Sequence, residues 1–274
     1  GRDMTLLLHI LLIAIAQAVT VNDSPAATPT PPLESLAPPL ESIAIVGASA
    51  SAGWGVVIPQ AESEREPRIR QRHVRFAEVL GAVLTDESLL LSDHSDVMFF
   101  TSPLQMGDSQ IDRVVQEDPS ALVGIDFLFW YAYGSNDAKG EAISIKDGPQ
   151  RLALLERGLT QLNRLSCHVL VGDIPDVSSA LDVRPISMLV KSQVPSAETL
   201  VALNTRIKEW ADSKPNITVL PLAAATQAMQ EGRALSWNGH QWPASSKLLQ
   251  FDKLHPTILG LIAMAEMTSE SLAR

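Results

Sequence analysis

Three short stretches of the chain carry groups that could do chemistry together. The first is Gly47-Ala48-Ser49-Ala50-Ser51-Ala52-Gly53-Trp54-Gly55. The second is Gly134-Ser135-Asn136-Asp137, and the third is Asp252-Lys253-Leu254-His255-Pro256. Between them they supply a hydroxyl, a side-chain amide, an imidazole and a carboxylate. Acyl transfer needs that set: a nucleophile, a base, a group that orients the base, and donors for an oxyanion. A serine hydroxyl is a weak nucleophile and needs a neighbouring base. Imidazoles titrate near neutrality, so His255 suits that task. Asp252 stands three residues earlier, and in a tight turn its carboxylate accepts from the ring and fixes the tautomer. Asn136 offers an amide N–H to a developing oxyanion. The N–H of Ser49, in a Gly-rich turn, is a second donor.

These stretches converge only if the elements between them bring them to one edge. From residue 41 onward the pattern alternates between apolar runs and amphipathic segments. "SIAIVGAS" reads as a buried first strand ending in a tight turn. "RIRQRHVRFAEVLGAVL" has helical spacing. "LVGIDFLFWYAYG" reads as a long apolar strand that ends at Gly134. "DGPQRLALLERGLTQLNRL" reads as a helix with Gly148-Pro149 at its start. "CHVLVGDIP" and "NITVLPLA" are further strands. "SAETLVALNTRIKEWADS" and "PTILGLIAMAEMTSESLAR" are helices. Alternation of this kind predicts an α/β fold, a three-layer α/β/α arrangement with a central, mostly parallel sheet. Ligands in such sheets bind at the carboxyl ends of the strands, where the three polar stretches fall.

With this order in view, the blocks resemble those of the SGNH, or GDSL-like, hydrolases. "GASASAGWG" is similar to their first block, usually Gly-Asp-Ser-x-Ser/Thr followed by Ala-Gly-aromatic-Gly. "GSND" is similar to their Gly-x-Asn-Asp block, and "DKLHP" to their Asp-x-x-His block with its trailing Pro. "VLVGDIPD" also resembles a strand and loop common in these enzymes. The resemblance spans residues 41–273 with the blocks in the family's order. It implies a flavodoxin-like hydrolase fold, with Ser49 as nucleophile, His255 as base and Asp252 as its partner. It also implies an oxyanion hole from Ser49, Asn136 and a second-block glycine, for which Gly107 is the best match. The implied activity is hydrolysis of small acyl esters, an acetylated carbohydrate or a short-chain lipid ester, through an acyl-enzyme with no cofactor or metal. One position departs from the pattern. The family's Asp after the first Gly is Ala48 here, which removes a carboxylate that helps order the nucleophile turn. A degenerate, non-catalytic carbohydrate-binding or adhesion domain is the alternative that this departure raises.

Other features carry less. Ser51 is a second candidate nucleophile within the same turn. Asp93-His94-Ser95-Asp96 lacks the multi-His spacing of zinc motifs and reads as a solvated turn. The turn after the first strand lacks Gly-x-Gly-x-x-Gly and any following Lys-Ser/Thr, which argues against dinucleotide or phosphate-loop binding. Trp54, Trp237 and Trp242 are candidates either for a pocket wall or for packing. Cys167 is the chain's single cysteine, which excludes a disulfide framework and a Cys-based zinc site.

Composition sets the outer bounds. The 274 residues carry a formal net charge of -10, which disfavours nucleic acid and anionic membrane surfaces as partners. Residues 4–18, "MTLLLHILLIAIAQA", have the length of a signal-peptide apolar region, with Ala16-Gln17-Ala18 as a small-x-small cleavage pattern. Residues 19–40 are Pro- and Ser-rich and read as an extended linker. The expected organisation is a signal peptide at 1–18, a linker at 19–40 and the hydrolase-like domain at 41–274. The expected location is secreted or periplasmic, with membrane contact only if residues 1–18 remain as an anchor.

Overall fold

The computed structural model describes residues 40–61, 69–134, 148–183 and 189–273. The expected signal peptide and nearly all of the expected linker lie outside the described residues. The central sheet has five strands: β1 (Ser42–Ile45), β4 (Leu90–Asp93), β5 (Ala121–Gly124), β6 (His168–Gly172) and β7 (Ile217–Leu220). Their order is β4-β1-β5-β6-β7, and every neighbouring pair is parallel. The order therefore reverses at β1, which has β4 on one side and β5 on the other. Such a switch point leaves a crevice at the carboxyl ends of the strands, and the turn after β1 opens into it.

Both faces of the sheet are covered, as the sequence alternation requires. Ala44, Val46, Leu122, Val169 and Val171 face one helical layer. That layer holds α2 (Pro103–Glu117), α3 (Phe129–Tyr133), α4 (Pro149–Leu162) and α5 (Ala197–Asp212). Ile43, Ile45, Ala121, Val123, Leu170 and Leu220 face the other. There lie α1 (Phe76–Leu84), α6 (Leu222–Glu231) and α7 (Ile258–Leu272). Successive residues of β1, β5 and β6 feed opposite cores, so these three inner strands are buried on both sides. This is the expected three-layer α/β/α architecture. Helix signals also hold locally. Pro149 opens α4 behind Gly148, and Ser196 caps α5 by accepting from the Thr199 amide at 3.3 Å.

Two elements differ from the sequence expectation. The apolar run 122–134 is not one strand. β5 ends at Gly124, the chain turns, and residues 129–133 form the one-turn-plus helix α3, closed by Gly134 at φ 72°. A fully buried run has no polar face to reveal its period, so strand and helix look alike in it. The segment 68–84 is not one helix either. Ile69–His73 forms β3, antiparallel to β2 (Val57–Ala61), and the helix begins only at Phe76. That hairpin is separate from the main sheet. A second hairpin joins β8 (Leu235–Trp237) to β9 (His240–Trp242) through Asn238-Gly239, both at positive φ. An Asn-Gly pair between short apolar strands is the expected chemistry for this two-residue turn. Glu266 of α7 anchors the second hairpin, accepting from Trp242 Nε1 at 2.7 Å and lying 2.8 Å from His240 Nδ1.

Candidate active site

The turn after β1 is built around two residues with no room for a side chain. Gly47 has φ 144°, and a Cβ there would lie 2.1 Å from Asp126 Oδ1. Gly53 has φ 73°, and its Cβ would lie 1.8 Å from the carbonyl oxygen of Val74. Between them the chain makes a tight coil in which Ala52 N–H donates to Ala48 O and Trp54 N–H to Ser49 O. Ser49 sits at the crown of this coil, part-exposed.

The third stretch folds back onto it from the far end of the chain. Leu249 and Pro256 form an antiparallel bridge, and Gln250 N–H donates to His255 O. The Asp252 carboxylate closes the tip, with Oδ1 accepting from the Leu254 and His255 amides at 3.0 Å each. Lys253 takes positive φ at this tip. Gln250 Nε2 reaches Trp54 O at 2.6 Å and Pro256 O at 2.9 Å, tying the two turns together.

The result is a continuous chain of hydrogen bonds. Ser49 Oγ lies 2.9 Å from His255 Nε2, and His255 Nδ1 lies 2.7 Å from Asp252 Oδ2. His255 and Asp252 are buried, at 2% and 7% exposure. Burial pushes the Asp252 carboxyl up, but the ring and two backbone amides donating to it outweigh this and hold it below its ordinary value. An ionised Asp252 can only accept, so Nδ1 carries the proton. Nε2 is then left as a lone pair facing the Ser49 hydroxyl, which is the tautomer a general base requires.

The amides of the nucleophile turn divide in an informative way. Ala48, Ala50 and Ser51 N–H all donate to the buried Asp126 carboxylate, and Gly47 N–H donates to Gln110 Oε1. Ser49 N–H alone among residues 47–51 has no partner among the described residues. It is the N–H that the sequence reading names as an oxyanion donor. Asp126 itself was not among the expected site residues. Its signal was there: a carboxylate in the middle of "LVGIDFLFW" must find donors once that run is buried. Burial raises its pKa, and the Ser51 hydroxyl and the three amides offset part of that rise.

Two expected oxyanion residues fare differently. Asn136 lies outside the described residues. Gly134 is ten positions beyond the end of β5 rather than at it. Gly107 lies within α2, where its amide belongs to the helical ladder. It is a packing glycine: a Cβ there would meet Tyr131 Oη at 1.9 Å. Ser51 is fully buried and its Oγ donates to Asp126 Oδ1 at 2.5 Å, so it points away from His255.

The remaining candidates also find places. Trp54 is 43% exposed, its ring 6.0 Å from the His255 imidazole, so it stands at the rim of the site. Trp242 is a packing residue on α7. Burial pushes the Cys167 thiol up to about 11, as expected of an inert cysteine. In the 93–96 turn Asp93 pairs with Arg75 at 2.5 Å and Asp96 caps the following short helix. Beside Ser49 and His255 lies a cavity of about 40 Å³, walled by Phe129, Trp130, Pro175, Val177 and Leu254.

Comparison with solved structures places this architecture. The chain superposes on a lipase/acylhydrolase from Enterococcus faecalis with a TM-score of 0.53 at 14% identity, covering 85% of this chain and 95% of the other. An acetylxylan esterase from Geobacillus stearothermophilus matches at TM-score 0.49 and 13% identity, over 83% and 92% of the two chains. No protein-family model matches the sequence, and no curated protein matches it by sequence. The three-layer α/β/α fold is thus shared with the lipase/acylhydrolase. In this chain the switch point of that fold carries a hydrogen-bonded Ser49–His255–Asp252 relay.

Proposed function

We propose that this protein is a serine esterase that hydrolyses small acyl esters through an acyl-enzyme. The observation that carries the reading is the relay from Ser49 Oγ to His255 Nε2 and from His255 Nδ1 to Asp252. It is joined by a nucleophile amide left free by its neighbours. Ser49 Oγ attacks the ester carbonyl carbon while Nε2 takes its proton. The carbonyl oxygen becomes an oxyanion facing Ser49 N–H, and the imidazolium is held by ionised Asp252. Collapse expels the alcohol, which takes the proton from Nε2. Water then attacks the acyl-Ser49 ester by the same route, giving the acid and free Ser49.

The small apolar cavity beside Ser49 supports a short-chain acyl substrate. Its volume of about 40 Å³ has room for roughly three water-sized groups, which suits an acetyl or similarly short acyl chain. Acetylated carbohydrates and short-chain lipid esters both meet that limit. The apolar run at residues 4–18 and the Pro-rich segment behind it support an exported enzyme.

A panel of p-nitrophenyl esters of increasing chain length, beside an acetylated polysaccharide, tests the reading. Turnover should be greatest for the shortest acyl groups and absent in Ser49→Ala. Equal turnover by Ser49→Ala, or glycan binding with no turnover by the wild type, would overturn it.

A further inference from the structure

We propose that Asp126 is a positioning residue for the nucleophile: from the end of β5, its carboxylate sets the turn that presents Ser49. This rests on the esterase reading and names a component that the sequence motif lacks. Ala48 occupies the position where the resembled pattern has a carboxylate, and it is a small buried side chain. Asp126 supplies a carboxylate to the same turn from just beyond the neighbouring strand. β5 pairs with β1 in register, Val123 opposite Ile45, so the chain just beyond β5 lies beside the turn just beyond β1.

Oδ1 accepts from Ala48 N–H at 3.0 Å and from the Ser51 hydroxyl at 2.5 Å. Oδ2 accepts from Ala50 N–H at 2.9 Å and Ser51 N–H at 3.2 Å. Asp126 has no cationic partner among the described residues, so these four donors are what its buried charge rests on. They flank Ser49 on both sides and skip it. The amides before and after the nucleophile donate to Asp126, and Ser49 N–H between them is left without a partner among the described residues. Gln110 fixes the entry to the same turn, accepting from Gly47 N–H and donating to Gly47 O, each at 2.9 Å. The fit is close: a side chain at Gly47 would run into Asp126.

Asp126→Asn is the sharpest perturbation. Its side chain keeps the volume but offers one acceptor oxygen, and its NH2 must face amides that are themselves donors. The turn then shifts, and a displacement of the reacting groups of about 1 Å costs about 10²-fold. The experiment measures kcat and KM with p-nitrophenyl acetate, per active site titrated with a fluorophosphonate, together with the melting temperature. Asp126→Asn is expected to lower kcat about 100-fold with KM within about threefold of wild type. Ser51→Ala, which removes one of the four donors and keeps the carboxylate, is expected to lower kcat about three- to tenfold at unchanged KM. Wild-type kcat per titrated site in Asp126→Asn, with only the melting temperature lowered, would make Asp126 a fold anchor and overturn the proposal. If Asp126→Asn does not fold, wild-type kcat in Ser51→Ala overturns it. A wild type that neither reacts with the fluorophosphonate nor turns over substrate would overturn the esterase reading, and this inference with it.

Discussion

Replacing Asp252 by Asn isolates the role of the carboxylate in the relay. In the wild type Asp252 accepts three hydrogen bonds: from His255 Nδ1 at 2.7 Å and from the Leu254 and His255 amides at 3.0 Å. Asn retains an oxygen that can serve both amides, so the turn should survive. Its NH2 then faces Nδ1, and Nδ1 must become an acceptor. The ring proton moves to Nε2, where it opposes the Ser49 hydroxyl, and the base is lost. A tautomer reversal of this kind costs about 10⁴-fold in kcat, or about 5.5 kcal/mol of barrier. KM should change little, because no substrate contact is removed. Stability should respond differently with pH. Because Asp252 is held below its ordinary value when folded, its charge stabilises the fold above the unfolded pKa of about 3.9. That contribution disappears as pH falls through the lower folded value. The stability gap between wild type and Asp252→Asn should therefore narrow as pH falls below about 4. Steady-state kinetics with p-nitrophenyl acetate and urea unfolding across pH check both halves. A loss of less than tenfold in kcat would refute the tautomer argument.

Three other outcomes follow from the same geometry. Gly53→Ala places a Cβ 1.8 Å from Val74 O at φ 73°, and urea unfolding should show a loss of at least about 2 kcal/mol. Trp54→Ala removes a part-exposed ring beside His255, so KM should rise several-fold while the melting temperature moves by less than about 4 °C. Cys167, with its thiol pushed up to about 11, should resist a disulfide reagent at pH 8 in the native protein and react promptly in urea.

The catalytic candidates were legible because their chemistry leaves local marks. Ser49, Asp252 and His255 stand at a Gly-rich turn and a helix start, and the structure joins them although 206 positions separate Ser49 from His255. The layers were legible too, since burial of β1 and β6 on both faces follows from runs that are apolar throughout. What escaped lies where burial erases periodicity or where pairing is non-local. The run 122–134 splits into β5 and α3 with no polar face to mark the break. Asp126 was hidden inside it, its partners being backbone amides about 75 positions away. The β2–β3 hairpin overrode a helical spacing in 69–73 because Val57–Ala61 was there to pair with it. Nothing local in the sequence marks why position 107 is a glycine; the packing of Tyr131 against α2 leaves no room there for a side chain.

In the proposed reaction Ser49, activated by His255, forms a covalent intermediate. The direct measurement is mass spectrometry of the protein after reaction with a serine-directed fluorophosphonate, with the adduct mapped to a peptide. One adduct per chain is expected, on Ser49, lost in Ser49→Ala and strongly slowed in His255→Ala. No adduct, or an adduct on another residue such as Ser51, would contradict it.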